Sequence, residues 1–292
     1  MKKLKISVKS NAKINIGLNI KEKLPTDYHL LDMVMVPISL ADDLEIEFTG
    51  KKGNLLIESN IKTIPTNEDN ILWKVYDAFY RYIEKEKDEI KVFLNKKIPH
   101  EAGLGGGSSN GAFFLKELNG YYNNILNDQE LIEIGKQIGA DIPFFIKNCP
   151  ARIGGIGEDI LKIENNLSKE LILIKPNFGV STGKAYSYYQ ELKDRNIKKD
   201  ANIEKIINGL KNNNLEDVLN YSENILEQGL LLFDENIKFF RKFLNSNFKI
   251  KFFMSGSGSC YYAFCSKENL EEYIQILKDK GNNCQIYHCS FL

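Results

Sequence analysis

Residues 99–109 read Pro-His-Glu-Ala-Gly-Leu-Gly-Gly-Gly-Ser-Ser, and this stretch says more about the fold than any other part of the chain. Before it, apolar and polar residues alternate from Ile90 to Leu94, which predicts a strand. After it, Asn110–Asn119 carries apolar residues at helical spacing, and Gly120 is predicted to end that helix. A strand, a glycine-rich loop and a helix N-terminus are typical of an anion-binding site, because glycines let backbone N–H groups approach phosphate oxygens.

The loop does not fit the common phosphate-binding patterns. A Walker A loop requires a lysine followed by Ser or Thr, and Pro99–Ser109 contains no lysine. Gly179–Lys184 is one residue too short for that pattern, and Ala185 stands where the hydroxyl is required. The G-x-G-x-x-G pattern fails at Asn110. A flexible glycine turn without a ligand is therefore the alternative, and the flanking strand and helix count against it.

Three blocks of the sequence resemble the GHMP kinase superfamily, which contains galacto-, homoserine, mevalonate and phosphomevalonate kinases. The loop Pro99–Ser109 is similar to its phosphate loop, Ser10–Asn15 to its first motif and Met254–Ser259 to its third. Because the blocks run from residue 10 to residue 259, the resemblance covers essentially the whole chain.

The resemblance implies an α+β, GHMP kinase-like two-domain fold. Its N-terminal domain, residues 1–164, would be a ribosomal-protein-S5-like ATP-binding domain, and residues 165–292 would form a ferredoxin-like domain. The polar segment 162–170 is a plausible boundary on composition alone. Residues 202–245 are predicted to be helical, and the order strand, turn, strand, helix, strand over residues 249–289 favours a ferredoxin-like C-terminal half.

The resemblance also implies the catalytic residues. In the superfamily the lysine of the first motif supports charge and the aspartate of the Gly-Ala-Asp-Ile-Pro block deprotonates the attacking hydroxyl, so Lys13 and Asp141 are the predicted pair. From position alone, a turn residue is the favoured interpretation of Asp141, and a solvated strand face that of Lys13. The resemblance assigns ATP to the phosphate loop: Pro99, His100, Glu101, Ala102, Gly103, Leu104, Gly105, Gly106, Gly107, Ser108 and Ser109.

Ala12–Asn15, Tyr28–Leu31 and Gly139–Pro143 resemble one branch of the superfamily, whose substrates carry a cytidine diphosphate group. There a tyrosine stacks on the cytosine, the adjacent histidine pairs with its polar edge, and a downstream aromatic covers the other face. A helix-packing face is the alternative for Tyr186, and a structural histidine for His29. The predicted substrate-binding residues are Asn15, Tyr28, His29, Thr182 and Tyr186.

Two residues depart from the family's pattern. Asp27 replaces the common glycine before Tyr28 and changes the turn that aims this ring. Glu101 replaces a small residue of the phosphate loop and brings negative charge near a triphosphate. That charge is tolerable if the side chain points outward or toward a metal ion.

Composition excludes several classes of protein. Lys+Arg and Asp+Glu both number 39, so a protein that coats nucleic acid or an anionic membrane is disfavoured. The five cysteines lack Cys-x-x-Cys spacing and are expected to be reduced thiols of a cytoplasmic protein. The three histidines are far apart in sequence, which disfavours a histidine metal centre. The sequence shows neither a signal-peptide pattern nor an apolar run long enough for a bilayer.

The resemblance therefore implies an ATP-dependent kinase that phosphorylates a hydroxyl of a small molecule carrying a cytidine diphosphate group. ATP is the co-substrate, and Mg²⁺ enters with it, with Ser108 as a candidate ligand. Another GHMP small-molecule kinase, such as homoserine kinase, is one alternative, and Tyr28–His29 and Gly139–Pro143 count against it. A non-catalytic binding protein on the same fold is the other, and the presence of both Lys13 and Asp141 counts against that.

Overall fold

The structure is a computed structural model that describes residues 3–25, 29–195, 198–280 and 283–292. Its class is mixed α+β, as predicted. In chain order the elements are β1 (Leu4–Lys23), β2 (His29–Lys52), β3 (Leu55–Ser59), α1 (Ile71–Tyr82), β4 (Asp88–Asn95), α2 (Gly106–Tyr121), α3 (Asp128–Lys136), α4 (Ile142–Lys147), β5 (Ala151–Gly154), β6 (Asp159–Lys162), β7 (Glu170–Lys175), α5 (Thr182–Asp194), α6 (Ile203–Lys211), α7 (Leu215–Tyr221), α8 (Ile225–Phe233), α9 (Glu235–Asn247), β8 (Phe253–Met254), β9 (Tyr261–Cys265), α10 (Lys267–Asp279) and β10 (Gln285–Cys289). Among the described residues, no helix has the length and apolar character that crossing a membrane requires.

The chain forms two compact units, each built from three separate segments. Unit 1 consists of Met1–Ala12, Ala41–Ile98 and Gly105–Asn148. Unit 2 consists of Lys13–Leu40, Pro99–Leu104 and Cys149–Leu292. The long strands β1 and β2 therefore contribute residues to both units, and the domain boundary between residues 164 and 165 stays a prediction.

Unit 1 contains the helices α1 to α4 and the strands β3 and β4. β3 pairs in parallel with β4, and α1 makes the crossover that a parallel pair needs. β4 pairs antiparallel with the second half of β2, where Leu44, Ile46 and Phe48 are fully buried, as their alternation predicts. Helix α2 packs against α1 and α4, and α3 packs against α4.

Helix α2 begins and ends at different residues from those predicted. It begins at Gly106, because Gly105 adopts a left-handed conformation (φ +70°) at the N-cap and ends the loop there. Gly120 does not stop it, and the prediction is wrong: the helix continues to Tyr121. The chain leaves the helix through Asn123 and Asn124, which have positive φ values, so these asparagines serve where glycine was expected.

Asparagine side chains begin helices α1 and α3, as the sequence predicts: Asn70 precedes an apolar helical stripe, and Asn127 is followed three residues later by Glu130. The Asn70 side chain accepts from the Leu72 N–H, and Asn127 forms a capping box with Glu130. The spacing of Ile71, Val75, Ala78 and Tyr82 predicts one apolar face of α1, which is only partly correct, because Val75 is buried but Tyr82 is exposed. The buried residues of α1 are Leu72, Val75, Tyr76, Phe79 and Tyr80.

Unit 2 contains a four-stranded antiparallel sheet in the order β10-β7-β9-β8, with α10 between β9 and β10 along the chain. The predicted strand from Lys249 is much shorter and covers only Phe253–Met254. The first half of β2 pairs with β5, and β5 pairs with β6. The end of the chain returns to β2: the Ser39 N–H donates to Ser290 O (2.9 Å), and the Leu292 N–H donates to Pro37 O (3.2 Å).

The segment predicted to be helical, residues 202–245, is four helices, α6 to α9. Each begins where a polar side chain accepts hydrogen bonds from the first turn: Asn202, Asn214, Asn224 and Asp234. α8 packs against α5 and against α9.

Candidate active site

Lys13 and Asn15 lie in the unit 2 part of β1, and both are buried. Their side chains are each 3% exposed, so this face is not solvated. The Lys13 Nζ donates to Asn15 Oδ1 at 2.6 Å. Two further bonds fix their backbone: the Lys13 N–H donates to Leu104 O (3.1 Å), and the Tyr262 hydroxyl donates to Asn15 O (2.9 Å). Burial raises the pKa of Tyr262, which keeps this hydroxyl protonated as a donor.

The third motif lies against this lysine and against the phosphate loop. A Cβ placed on Gly256 would lie 3.3 Å from Lys13 Nζ and 3.1 Å from Gly103 O. The Ser255 hydroxyl donates to Gly103 O at 2.9 Å. Gly103 has φ +68°, and a Cβ there would stand 1.9 Å from Ser255 O, so no other residue fits this contact. Unit 2 therefore brings the first motif, the start of the phosphate loop and the third motif together.

Asn224 holds the third motif in place, although it was not among the residues predicted for the site. Its side-chain nitrogen donates to Met254 O and to Gly256 O, both at 2.8 Å. Its side-chain oxygen accepts from the Leu226 N–H at 3.0 Å and so caps α8. The capping signature, an asparagine before an apolar helical run, was visible in the sequence, but its contact with residues 30 positions away was not.

The second half of the phosphate loop forms the first turn of α2 in unit 1. The backbone N–H groups of Gly106, Gly107 and Ser108 open the helix and have no acceptor one turn earlier within it. A Cβ on Gly107 would meet nothing within 4 Å, so the turn is open to solvent at this residue. Ser109 differs, because its hydroxyl donates to Asn11 O (2.6 Å) and its N–H to Gly105 O (2.8 Å).

A buried ion pair supports this turn from beneath. Lys96 contacts Asp42 and donates to Asn110 Oδ1 at 3.0 Å. Asp42 also accepts from the N–H groups of Lys97 (2.7 Å) and Ile98 (2.8 Å). The charges compensate each other in the interior, and the cluster ties the end of β4 to α2. No local pattern in the sequence predicts this cluster.

Gly106 is packed, in contrast to Gly107. A Cβ at Gly106 would lie 2.9 Å from Ile98 Cγ2 and 3.3 Å from Lys96 Nζ. A bulky side chain at Gly106 would therefore strain the protein itself as well as hinder a ligand. Gly107 is the position where an effect on a ligand can be separated from an effect on the fold.

Asp141 lies in unit 1 immediately before α4. It is partly buried, and its side chain makes no capping hydrogen bond to α4, so helix capping does not account for it. The turn that carries it lies against the start of α2, because a Cβ on Gly139 would be 3.4 Å from Ser108 Oγ. Asp141 and the helix start that is predicted to bind phosphate thus belong to one unit.

Tyr28, which is predicted to stack on the cytosine, lies outside the described residues, and so does the neighbouring Asp27. His29 lies beside Tyr186 in unit 2, with ring centroids 4.9 Å apart and planes tilted by 36°. Tyr188 packs on Phe233 (5.2 Å between centroids) and serves the helix-packing role that was the alternative for Tyr186. The Thr182 and Ser257 hydroxyls are 3.2 Å apart, which places the start of α5 at the third motif.

The remaining loop residues differ in exposure. Ala102 and Leu104 are buried, Pro99 is partly buried, and His100 and Glu101 are exposed. Glu101 has φ +49°, and its carboxylate lies against Gly179: a Cβ there would be 2.1 Å from Glu101 Oε2. The side chain that departs from the family pattern therefore points toward the segment before α5. Across the described part of the chain, no cluster of three or more His, Cys, Asp or Glu side chains forms a metal site.

Comparison with known proteins identifies the fold. Residues 70–148 match the family described as "GHMP kinases N terminal domain". A crystal structure of 4-(cytidine 5'-diphospho)-2C-methyl-D-erythritol kinase has the same fold, with a TM-score of 0.80, 23% identity, and coverage of 98% of this chain and 99% of that one. A homoserine kinase from Cytophaga hutchinsonii is also similar, with a TM-score of 0.73, 16% identity, and coverage of 99% and 97%. The fold is thus that of the GHMP-type small-molecule kinases.

Relatives that are similar in sequence identify one family within this class. The chain is 47% identical to a 4-diphosphocytidyl-2-C-methyl-D-erythritol kinase of Fusobacterium nucleatum over 98% of this chain and 97% of the relative. It is 35% identical to the protein of that name from Clostridium acetobutylicum over 95% and 97%. The chain belongs to the 4-diphosphocytidyl-2-C-methyl-D-erythritol kinase family.

Proposed function

We propose that the protein transfers the γ-phosphoryl group of ATP to the 2-hydroxyl of 4-diphosphocytidyl-2-C-methyl-D-erythritol, in the non-mevalonate route to isoprenoid precursors. The observation that carries the proposal is the convergence on Lys13 of the phosphate loop and the third motif, through Gly103 and Gly256. Family membership supplies the substrate, and the pairing of His29 with Tyr186 supports a site for a base.

The chemistry needs three contributions from the chain. Phosphoryl transfer depends mainly on positioning and on neutralising charge. The N–H groups of Gly106, Gly107 and Ser108 would hold phosphate oxygens of ATP, and the helix start adds partial positive charge. Lys13 would neutralise charge on the transferring group, and Asp141 would accept the proton of the attacking hydroxyl.

Magnesium would enter with ATP. This ion keeps several waters and binds through substrate phosphates and one or two protein ligands, so it needs no dedicated cage. The Ser108 hydroxyl, at the start of α2, is the candidate protein ligand, and it suits an ion that prefers oxygen. The ion would neutralise phosphate charge during transfer.

One assay tests the proposal. Purified protein is incubated with ATP, Mg²⁺ and the cytidylylated substrate, and ADP release is measured together with the phosphorylated product. Homoserine, mevalonate and unsubstituted methylerythritol phosphate form the control panel. Turnover of the cytidylylated substrate alone supports the proposal, and turnover of homoserine in its place would identify a different kinase of the superfamily.

The exposed start of α2 gives a prediction about ATP. Gly107→Val should weaken ATP binding by about 10-fold or more, because a branched side chain blocks approach of phosphates to the backbone and the hydrogen bonds to a charged group are lost. Calorimetry measures the affinity. Gly120→Val is the matched control, since Gly120 lies in the last turn of the same helix and its Cβ would also meet nothing within 4 Å. Equal ATP affinities of the two variants would remove this turn from the site.

The second aromatic of the base site gives another prediction. Tyr186→Ala should weaken binding of the cytidylylated substrate by about 1–3 kcal/mol, the range for one base–aromatic stack, with ATP affinity unchanged. The same loss is expected for Tyr28→Ala. Tyr188→Ala is the control, because this ring packs on Phe233 and its loss should lower the melting temperature alone. If Tyr186→Ala and Tyr188→Ala bind the substrate equally, the stacking role of Tyr186 is wrong.

A further inference from the structure

Lys175 is a buried cation of unit 2 for which the reaction scheme above has no use. Its residue is 7% exposed, at the end of β7. Its ammonium donates to Phe178 O at 2.6 Å and to Pro176 O at 2.9 Å, two carbonyls of the turn that follows. The Lys175 side chain thus holds the first residues of the segment that connects β7 to α5.

The same turn is held from two other segments. The Ser259 hydroxyl of the third motif donates to Phe178 O at 2.5 Å, and the Ser259 N–H donates to Glu101 O at 3.1 Å. The Glu101 carboxylate lies over Gly179, as described above. A single junction therefore joins the phosphate loop, the third motif and the turn Pro176–Gly179.

An electrostatic effect links Glu101 to Lys175 across this junction. Burial lowers the pKa of Lys175, and the negative charge of Glu101 acts in the opposite direction. Glu101 thus favours the charged form of a lysine that would otherwise lose solvation without compensation. The carboxylate that departs from the family pattern therefore acts on a charge of the protein itself.

We propose that Lys175 is a positioning residue for the acceptor substrate. Its ammonium fixes the turn Pro176–Gly179, and this turn fixes the start of α5, which carries Thr182 and Tyr186. Glu101 stabilises that ammonium from the phosphate loop. The effect on substrate rests on the proposed function, whereas the effect on α5 does not.

The test replaces Lys175 with methionine, which keeps the length of the side chain and removes the charge and the hydrogen bonds. Lys175→Met should raise the KM for the cytidylylated substrate about 10-fold, with the KM for ATP and kcat changed far less, because the lost bonds orient the acceptor side. Lys175→Arg, which can donate to both carbonyls, should restore most of the affinity.

Lys251→Met is the matched control. Burial lowers the pKa of Lys251 too, and its ammonium donates to a single carbonyl, Leu219 O, at 2.7 Å. It belongs to a different cluster, beside Glu223 and Arg241. This variant should lower the melting temperature without changing the KM for the acceptor. Equal KM values for Lys175→Met and Lys251→Met would reduce Lys175 to a structural role and overturn the proposal.

Amide hydrogen exchange separates this inference from the proposed function, because it needs no substrate. Residues 178–186 should lose protection in Lys175→Met and keep it in Lys251→Met. If wild-type protein does not phosphorylate the substrate but this difference appears, the proposed function fails and the positioning role stands. Unchanged protection of residues 178–186 overturns the positioning role whatever the activity. Should Lys175→Met not fold, Glu101→Gln is measured in the same way, since it removes the counter-charge and leaves Lys175 in place.

Discussion

Asp141→Asn is expected to lower turnover by about 10²–10⁴-fold, the range for loss of a general base, with substrate affinity little changed. Asparagine preserves the volume of the side chain but cannot accept the proton of the attacking hydroxyl. Because the Asp141 side chain makes no capping hydrogen bond to α4, the substitution should leave that helix intact. Steady-state kinetics give kcat, and calorimetry gives the affinity for the acceptor.

Asp128→Asn is the control for this experiment. Asp128 also stands at the start of a helix of unit 1, and it forms an exposed ion pair with Lys147 at 3.0 Å. Such pairs contribute about 0–1 kcal/mol, so both activity and stability should stay near wild type. If Asp141→Asn turns over as fast as Asp128→Asn, Asp141 is a turn residue and the base must be sought elsewhere.

Lys13→Met is expected to lower kcat by about 10²–10³-fold, the usual effect of removing one preorganised electrostatic group from a transition state. Methionine fills a similar volume, so the buried position stays packed. The substitution also leaves Asn15 Oδ1 without its 2.6 Å donor, which costs stability on the order of 1–3 kcal/mol. A melting curve measures that cost separately from the rate.

Lys9→Met serves as the comparison for Lys13→Met. Lys9 lies on the same strand, β1, but is exposed, so its loss should alter neither rate nor stability appreciably. A variant Lys13→Met with a lowered melting temperature and wild-type kcat would show that this lysine is only a structural cation.

Local signals in the sequence predicted most of the elements around the site. The alternation of Ile90, Val92 and Leu94 correctly gave β4, and Asn127 with Glu130 correctly gave the capped start of α3. Both signals act within a few residues, where spacing and side-chain chemistry are sufficient. The family and the fold class followed from motifs and are confirmed by the relatives.

The features of the site that could not be predicted from the sequence depend on contacts between residues far apart in the chain. Alternation showed that Lys13 and Asn15 share a strand face, but only tertiary packing decides that this face is buried. Asn224 and Lys175 act on the backbone of the third motif and of the turn before α5, and no periodicity predicts a side chain bonding to a particular carbonyl. The assignments of Lys13, Asp141 and the residues of the base site stay predictions until the variants are measured.

The segmented make-up of unit 2 has a consequence for synthesis of the protein. Residues 29–40 of β2 are synthesised long before the C-terminal residues with which they pair. The Ser39 N–H donates to Ser290 O, and the Leu292 N–H donates to Pro37 O. At about 5–20 residues per second, the wait is on the order of 10–50 s. Val34, Val36 and Ile38, all fully buried in the finished protein, are then exposed on the nascent chain. We expect this stretch to be where chaperones bind during translation.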